Sequence, residues 1–315
     1  MKRADFTPQN VTDSPNVNTI FSIWVFKDNI DIKHSFERVC ALVENFNNSF
    51  RTRLPNTEAS CVMGIGYEAW LKLDMPMPMP LELKTFNEIK GPKHTAVSTP
   101  GDLHFHLRST TMGACFDMSM ALSEVLIEIA DCIDEVQAFR YWDGRSVIGF
   151  VDGTENPQGQ DREHYAMVGE ESDLYQGGSY LFVQKYLHNM KSWNSTSVEE
   201  QERVIGRYKM SDIEMPDDIK PSNSHTALTN IEDEDGNELK IIRDNLPFGN
   251  ASKGEIGTYF ISYANRFSTT EKMLENMFIG DPVGNYDRLL DFSTAVSGSL
   301  YFVPTLDMLG DYSAD

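Results

Sequence analysis

Three short stretches of the 315-residue chain carry side chains that could do chemistry together. In Gly149-Phe150-Val151-Asp152-Gly153-Thr154-Glu155-Asn156-Pro157, an apolar run delivers one carboxylate into a glycine-bounded turn, and Pro157 stops further regular structure. A carboxylate presented this way can exchange a proton with a ligand, or it can close an Asx-turn on its own backbone. Pro221-Ser222-Asn223-Ser224-His225-Thr226-Ala227-Leu228 offers an imidazole from a loop of small residues. Such a histidine serves as a metal ligand or as an ordinary structural residue. Ile241-Ile242-Arg243-Asp244-Asn245-Leu246-Pro247-Phe248-Gly249 carries a guanidinium and an amide on an apolar strand that breaks at Pro-Phe-Gly. That arginine can stabilise a developing negative charge or pair with a carboxylate at an edge. Each signal is weak by itself.

Hydrophobic periodicity supplies the elements that must position these residues. Residues 20–26 read as an apolar strand, and Ile32, Phe36, Val39, Val43 and Phe46 recur at the spacing of one helix face. Strands are expected at 61–65 and 103–107, then a helix with Met118, Leu122, Val125, Ile129, Ile133 and Val136 on one face, then a strand starting at 139–142. Asp143-Gly144 makes a tight turn into 147–151, which reads as a buried strand aiming Asp152. The second half repeats the order. A strand at 179–187 precedes a capping box, Ser197 to Glu200, and a helix through Val204, Ile205 and Tyr208. Strands at 239–242 and 256–263, a second capping box from Ser268 to Glu271, a helix with Met273, Leu274, Met277 and Phe278, and a strand at 298–303 complete it. Twice over, the order is β-α-β-β-α-β. The expected fold class is therefore α+β, with two ferredoxin-like (split βαβ) halves forming a dimeric α+β barrel-like unit. The halves are 1–146 and 147–315, the second carrying most of the site, with Asp152 near the junction where pockets commonly form.

Composition narrows the functional classes. Asp and Glu outnumber Lys and Arg by 48 to 27, giving a net charge of −21, which argues against nucleic acid as a partner. No apolar run approaches the ~20 residues a membrane span needs. Met1-Lys2-Arg3-Ala4-Asp5-Phe6 lacks the apolar core of a secretory signal, so a cytoplasmic protein is expected. Cys40, Cys61, Cys115 and Cys132 form no C-x-x-C pair and read as reduced thiols.

The ordered set is more specific than its parts. The G-x-x-D-G-T-x-N-P stretch, the loop histidine, and Arg-x-Asn ahead of Pro-Phe-Gly resemble the signature of dye-decolourising peroxidases, haem enzymes built from two ferredoxin-like halves. Gly101-Asp102-Leu103-His104-Phe105-His106, Ile205-Gly206-Arg207 and Asp287-Arg288-Leu289-Leu290-Asp291-Phe292-Ser293 extend the resemblance over nearly the whole chain, in its compact bacterial form. It implies one haem b per chain, hydrogen peroxide as oxidant, and dyes or phenolic compounds as small-molecule reductants oxidised by one-electron steps. It also implies a homo-oligomer. Some members are encapsulated, but the short acidic tail, Thr305 to Asp315, offers no targeting peptide for a shell.

The same resemblance assigns roles. His225 is the expected proximal ligand of the haem iron, its other ring nitrogen donating to Asp287 or, failing that, to Asp291. Asp152, Arg243 and Asn245 are the expected distal residues. Asp152 would shuttle the peroxide proton, and Arg243 would favour its ionised form, against the effect of burial, while stabilising charge as the O–O bond breaks. Arg207, at a helix end, would pair with a haem propionate, the alternative being a solvated arginine. Thr154 and Glu155 are expected to line the haem edge, and Phe260 to cover the distal face unless it is ordinary core. Two other readings stay open, a porphyrinogen- or haem-processing enzyme of the same fold and a haem carrier with little turnover. The distal trio argues against a carrier.

Other features read more simply. His104 and His106 lie on one face of a strand, yet no further His or Cys nearby completes a metal site. The acidic run 232–238 reads as a solvated hairpin tip and the Met75–Pro80 run as a stiff extended loop. Trp24, Trp70, Trp142 and Trp193 are candidates for carrying electrons to bulky dyes.

Overall fold

The computed structural model describes residues 6–312; the opening Met1–Asp5 and residues 313–315 of the acidic tail lie outside the described residues. Strands Asn18–Phe26, Ser60–Gly66, Leu103–Ser109 and Ala130–Phe139 pair antiparallel, with Asn18–Phe26 between the last two. In the second half Ser179–His188 lies between Glu255–Ala264 and Ser299–Val303, and Ile242–Arg243 and Leu246–Asn250 pair on the far side of Glu255–Ala264. Numbered within each half, the spatial order is 2-3-1-4 in both, the antiparallel arrangement of a split βαβ unit. One strand pair joins the halves, Tyr301 and Phe302 of the second meeting Gly66 and Ile65 of the first. At the two ends of this row, Leu246–Asn250 and Ala130–Phe139 pack together, so the sheet curls towards a barrel.

Alternation along the strands sorts side chains into two cores. One face packs under the helices Lys33–Arg53, Met112–Ile129 and Phe267–Phe278. The other is shared between the halves and holds Phe21, Val62, Val136, Leu181, Tyr259, Tyr263 and Tyr301. Into this second core the chain also places His104, His106, Arg108 and Asp244, all buried. Arg108 donates to Asp244 at 2.8 Å, His106 Nδ1 meets the Tyr263 hydroxyl at 2.8 Å, and His104 Nε2 meets that of Tyr259 at 3.2 Å. The two strand histidines are therefore engaged with phenols rather than presented to a metal.

Several boundaries differ from expectation. The helix expected to carry Ile133 and Val136 stops at Ile129, and Ala130–Phe139 is a strand. No Gly or Pro marks the switch, and Val136 fits either period. Nine residue pairs against Asn18–Phe26 decide it, and Ile133, skipped at a register shift, is left exposed. The helix Val198–Ile205 is capped by the Ser197 hydroxyl as expected, but Gly206 takes φ +88° and ends it before Tyr208. Ser268 caps nothing. It lies one residue inside Phe267–Phe278, where its hydroxyl and backbone N–H donate to Glu82. The 147–151 run forms a looped turn closed by a single bridge, Arg145 to Val151, and not a buried strand. Gly149 at φ +96° turns the chain, with its N–H on Ser146 O. The acidic run is the tip between the short strands Ile231–Glu232 and Glu238–Leu239, and the strand expected at 239–242 is split between this hairpin and the main sheet.

Two outcomes follow from the inter-half core. Arg108→Leu leaves Asp244 charged and unpaired in the interior, at a cost of about 3–5 kcal/mol, whereas adding Asp244→Leu restores part of it; urea unfolding of both variants measures this. Burial holds the His104 imidazole down to about 3 from 6.5. Below pH 6.5 the unfolded chain therefore binds a proton that the folded chain refuses, and stability falls as pH drops from 6.5 towards 3. His104→Gln should flatten that part of the stability profile, as read by unfolding midpoints at pH 7 and pH 5.

Candidate functional site

A cavity opens where the second half's sheet meets its helices. Its walls take residues from alternate strand positions: Tyr186 and His188, Thr258 and Phe260, Arg243 and Asn245. The residues between these, Tyr259 and Asp244, point into the inter-half core instead. Met273, Leu274 and Met277 of the helix Phe267–Phe278 add an apolar wall, and Ile148 and Phe150 another. About 210 Å³ of the cavity is free to the centres of water molecules.

His225 opens the short helix His225–Thr229 rather than sitting in an irregular loop, with Ser224 at its N-cap. Its Nδ1 lies 2.6 Å from Asp287 Oδ2. Asp287 is wholly buried, and its other oxygen accepts from the Leu289 N–H at 2.9 Å, so the carboxylate is fixed from two sides. Nδ1 is the ring nitrogen that donates, which leaves Nε2 with its lone pair and no protein partner among the described residues. Asp291, the alternative partner, is turned towards His94 at 3.0 Å, Tyr286 at 3.1 Å and Lys93.

Asp152, Arg243 and Asn245 share the cavity wall. Asn245 Nδ2 stands 3.2 Å from each carboxylate oxygen of Asp152, while its own Oδ1 accepts from the Ile261 N–H at 3.0 Å. The sheet thus fixes the amide, and the amide fixes the carboxylate. Arg243 makes no side-chain hydrogen bond or ion pair among the described residues. Its backbone is held by Asn156, whose amide donates to Arg243 O and accepts from Arg243 N. Asn156 therefore ties the Asp152 turn to the arginine's strand. Its place in the turn motif was the only sequence signal of this.

The remaining predicted residues form one network at the rim. Arg207 follows the αL glycine of its helix and is buried, with ion pairs to Glu155 at 2.8 Å, Asp212 at 3.3 Å and Glu214 at 3.5 Å. Thr154 donates to the same Asp212 at 2.7 Å. Gly206 has a second reason to lack a side chain, because a Cβ there would stand 2.1 Å from Thr226 Oγ1. Phe260 lines the cavity and packs on Phe182, so it is wall and core together. Sequence reading missed Asp212 and Glu214, which no motif distinguished from other surface acids. It also missed His188, bonded to Ser293 and Thr258 at 2.8 Å each and held down to about 4 by burial. Of the four tryptophans only Trp142 is exposed, at 78%, with Tyr141 6.0 Å from it.

Comparison with known proteins gives one answer. Residues 20–140 match the family described as Dyp-type peroxidase, N-terminal, and residues 143–308 match Dyp-type peroxidase, C-terminal. A dye-decolorizing peroxidase from Rhodococcus erythropolis is 52% identical over 273 residues, covering 87% of this chain and 80% of that protein. The encapsulated DyP-type peroxidase from Mycobacterium smegmatis superposes with a TM-score of 0.94 at 47% identity, covering 98% of this chain and 99% of the other. A DypB variant from Rhodococcus jostii RHA1 in complex with heme gives 0.90 at 44% identity over 96% and 97% of the two chains. With both halves matched in order and the fold reproduced over nearly its full length, the chain belongs to the Dyp-type peroxidase family.

Proposed function

We propose that the chain is a haem-dependent peroxidase that reduces hydrogen peroxide and oxidises dyes or phenolic compounds one electron at a time. The observation that carries this reading is the pairing of two constellations in one cavity, His225 on buried Asp287 and Asp152 on Asn245 beside the unpaired Arg243. The donor set fits haem. His225 offers one free ring nitrogen, and the apolar wall suits a macrocycle that brings its other four ligands with it. Among the described residues no group of three His, Cys, Asp or Glu could hold a bare ion. Arg207 at the rim is the group to meet a propionate, exchanging one of its present carboxylate partners, with Thr154 and Glu155 beside it.

When bound, haem supplies the redox chemistry that splits peroxide. This chain's residues supply the rest. Asp287 accepts from Nδ1, which fixes the ring's orientation, turns the Nε2 lone pair to the iron and makes His225 a stronger ligand. Asp152 takes a proton from the near oxygen of peroxide and returns it to the departing one, so that water leaves. Asn245 keeps both carboxylate oxygens aimed, and the Arg243 guanidinium offsets the negative charge that grows on the departing oxygen. A passive carrier would leave these three residues without a task. A cytoplasmic, homo-oligomeric enzyme divided at 146/147 is part of the same proposal; four unpaired cysteines support the compartment, and the strand order repeated in each half supports the division.

His225→Ala should abolish tight haem retention, seen as loss of the Soret band after desalting; an unchanged band overturns the ligand assignment. Arg243→Ala should slow the peroxide-driven change in the haem spectrum by about 10²–10³, and by more than Asp152→Ala, because the arginine acts on both the carboxylate and the leaving oxygen. Stopped-flow mixing compares them, and a larger loss for Asp152→Ala reverses the ranking.

A further inference from the structure

A second cavity lies on the outer side of the Asp152–Asn245 pair. About 380 Å³ of it is free to the centres of water molecules, and Asp152, Gly153, Thr154, Arg243 and Asn245 form a wall common to both cavities. Exposed Arg140 and Gln158 stand in its lining, so it reaches the surface.

Its charges differ from those of the chain as a whole. Four arginines and three aspartates line it. Arg145 is paired with Asp143 at 3.1 Å, and Asp212 is already held by Arg207 at 3.3 Å. Of the rest, among the described residues the Arg140 side chain donates only to the Asp143 carbonyl, and that of Arg162 only to the carbonyls of Thr12, Asp13 and Pro157. The Arg243 guanidinium has no partner among the described residues. Arg162 shares the field of Asp244 and Asp13, so two lining cations, Arg140 and Arg243, have no carboxylate partner among the described residues, against the single carboxylate of Asp152, whose partner is an amide. In a chain of net charge −21 this is a local reversal of sign. Uncompensated guanidiniums in a recess attract an anion, and their planar forks match a carboxylate. Tyr141, Leu246, Pro247 and Pro15 add apolar and aromatic surface to the same lining, the kind an aromatic ring packs on.

We propose that this outer cavity is a binding site for a small aromatic carboxylate, held by Arg140 and Arg243 on the solvent side of Asp152. The binding step does not need the haem reading, although a ligand there would stand beside the proton-handling carboxylate.

Calorimetric titration of the purified holoprotein without peroxide tests it, with benzoate as probe and benzamide as its uncharged isostere. Benzoate should bind and benzamide should bind at least about tenfold more weakly, the loss expected for one charge-assisted contact. Arg140→Gln should weaken benzoate by about tenfold while leaving the peroxide-driven spectral change untouched. Raising salt should weaken benzoate but not benzamide. Equal binding of the two probes, no effect of Arg140→Gln, or a benzoate-induced shift of the haem band that places the ligand in the inner cavity would each overturn the proposal. Protein with no haem band would sink the peroxidase reading alone, since the benzoate and benzamide titrations still report on the outer cavity.

Discussion

Asp244 is buried between two neighbours that face the cavity, and its contact with Arg108 fixes which way all three point. Strand geometry sends Arg243 and Asn245 to one face and Asp244 to the other. A carboxylate in the interior must be paired, and the partner comes from the other half of the chain, on Leu103–Ser109. A slip of one residue would bury Arg243 and expose its neighbour to the cavity. The inter-half core is thus what makes the orientation of Arg243 and Asn245 unambiguous, and the stacking of Phe21 on Tyr259, with ring centroids 4.1 Å apart, packs the same layer.

The histidine side is held by different means. Asp287 is anchored at the start of a short 3₁₀ turn, and its N–H bonds to Met277 O at the end of the helix that walls the cavity. The positions of His225, Asp287 and the cavity wall are therefore one mechanical unit. The rim is looser: Arg207 shares its charge among Glu155, Asp212 and Glu214, and Thr154 bonds the same Asp212. In a chain so rich in carboxylates, Arg140 and Arg243 line the outer cavity with no ion pair among the described residues, and four arginines against three aspartates give that cavity its sign.

Much of this was legible in the residues. The helix face of Phe36, Val39 and Val43, the strand order of each half and the ordered motifs around Asp152, His225 and Arg243 needed no coordinates, because hydrophobic period and turn chemistry are local. Boundaries failed where two periods fitted one stretch, as at Val136, or where a serine–glutamate spacing imitated a cap, as at Ser268. Ser268 turns to Glu82, far away in sequence, and no local rule sees that bond.

By itself the sequence determined the two split βαβ halves and the family, and it singled out residues that one cavity then gathers, since each depends on residue type, period and order along the chain. Only the tertiary structure decided that Asp287 and not Asp291 meets His225, that Asn245 rather than Arg243 holds Asp152, and that Asn156 clamps the arginine's strand. These are contacts between segments tens of residues apart. Their geometry follows from which strand faces survive burial, a property of the packed sheet that no short stretch contains.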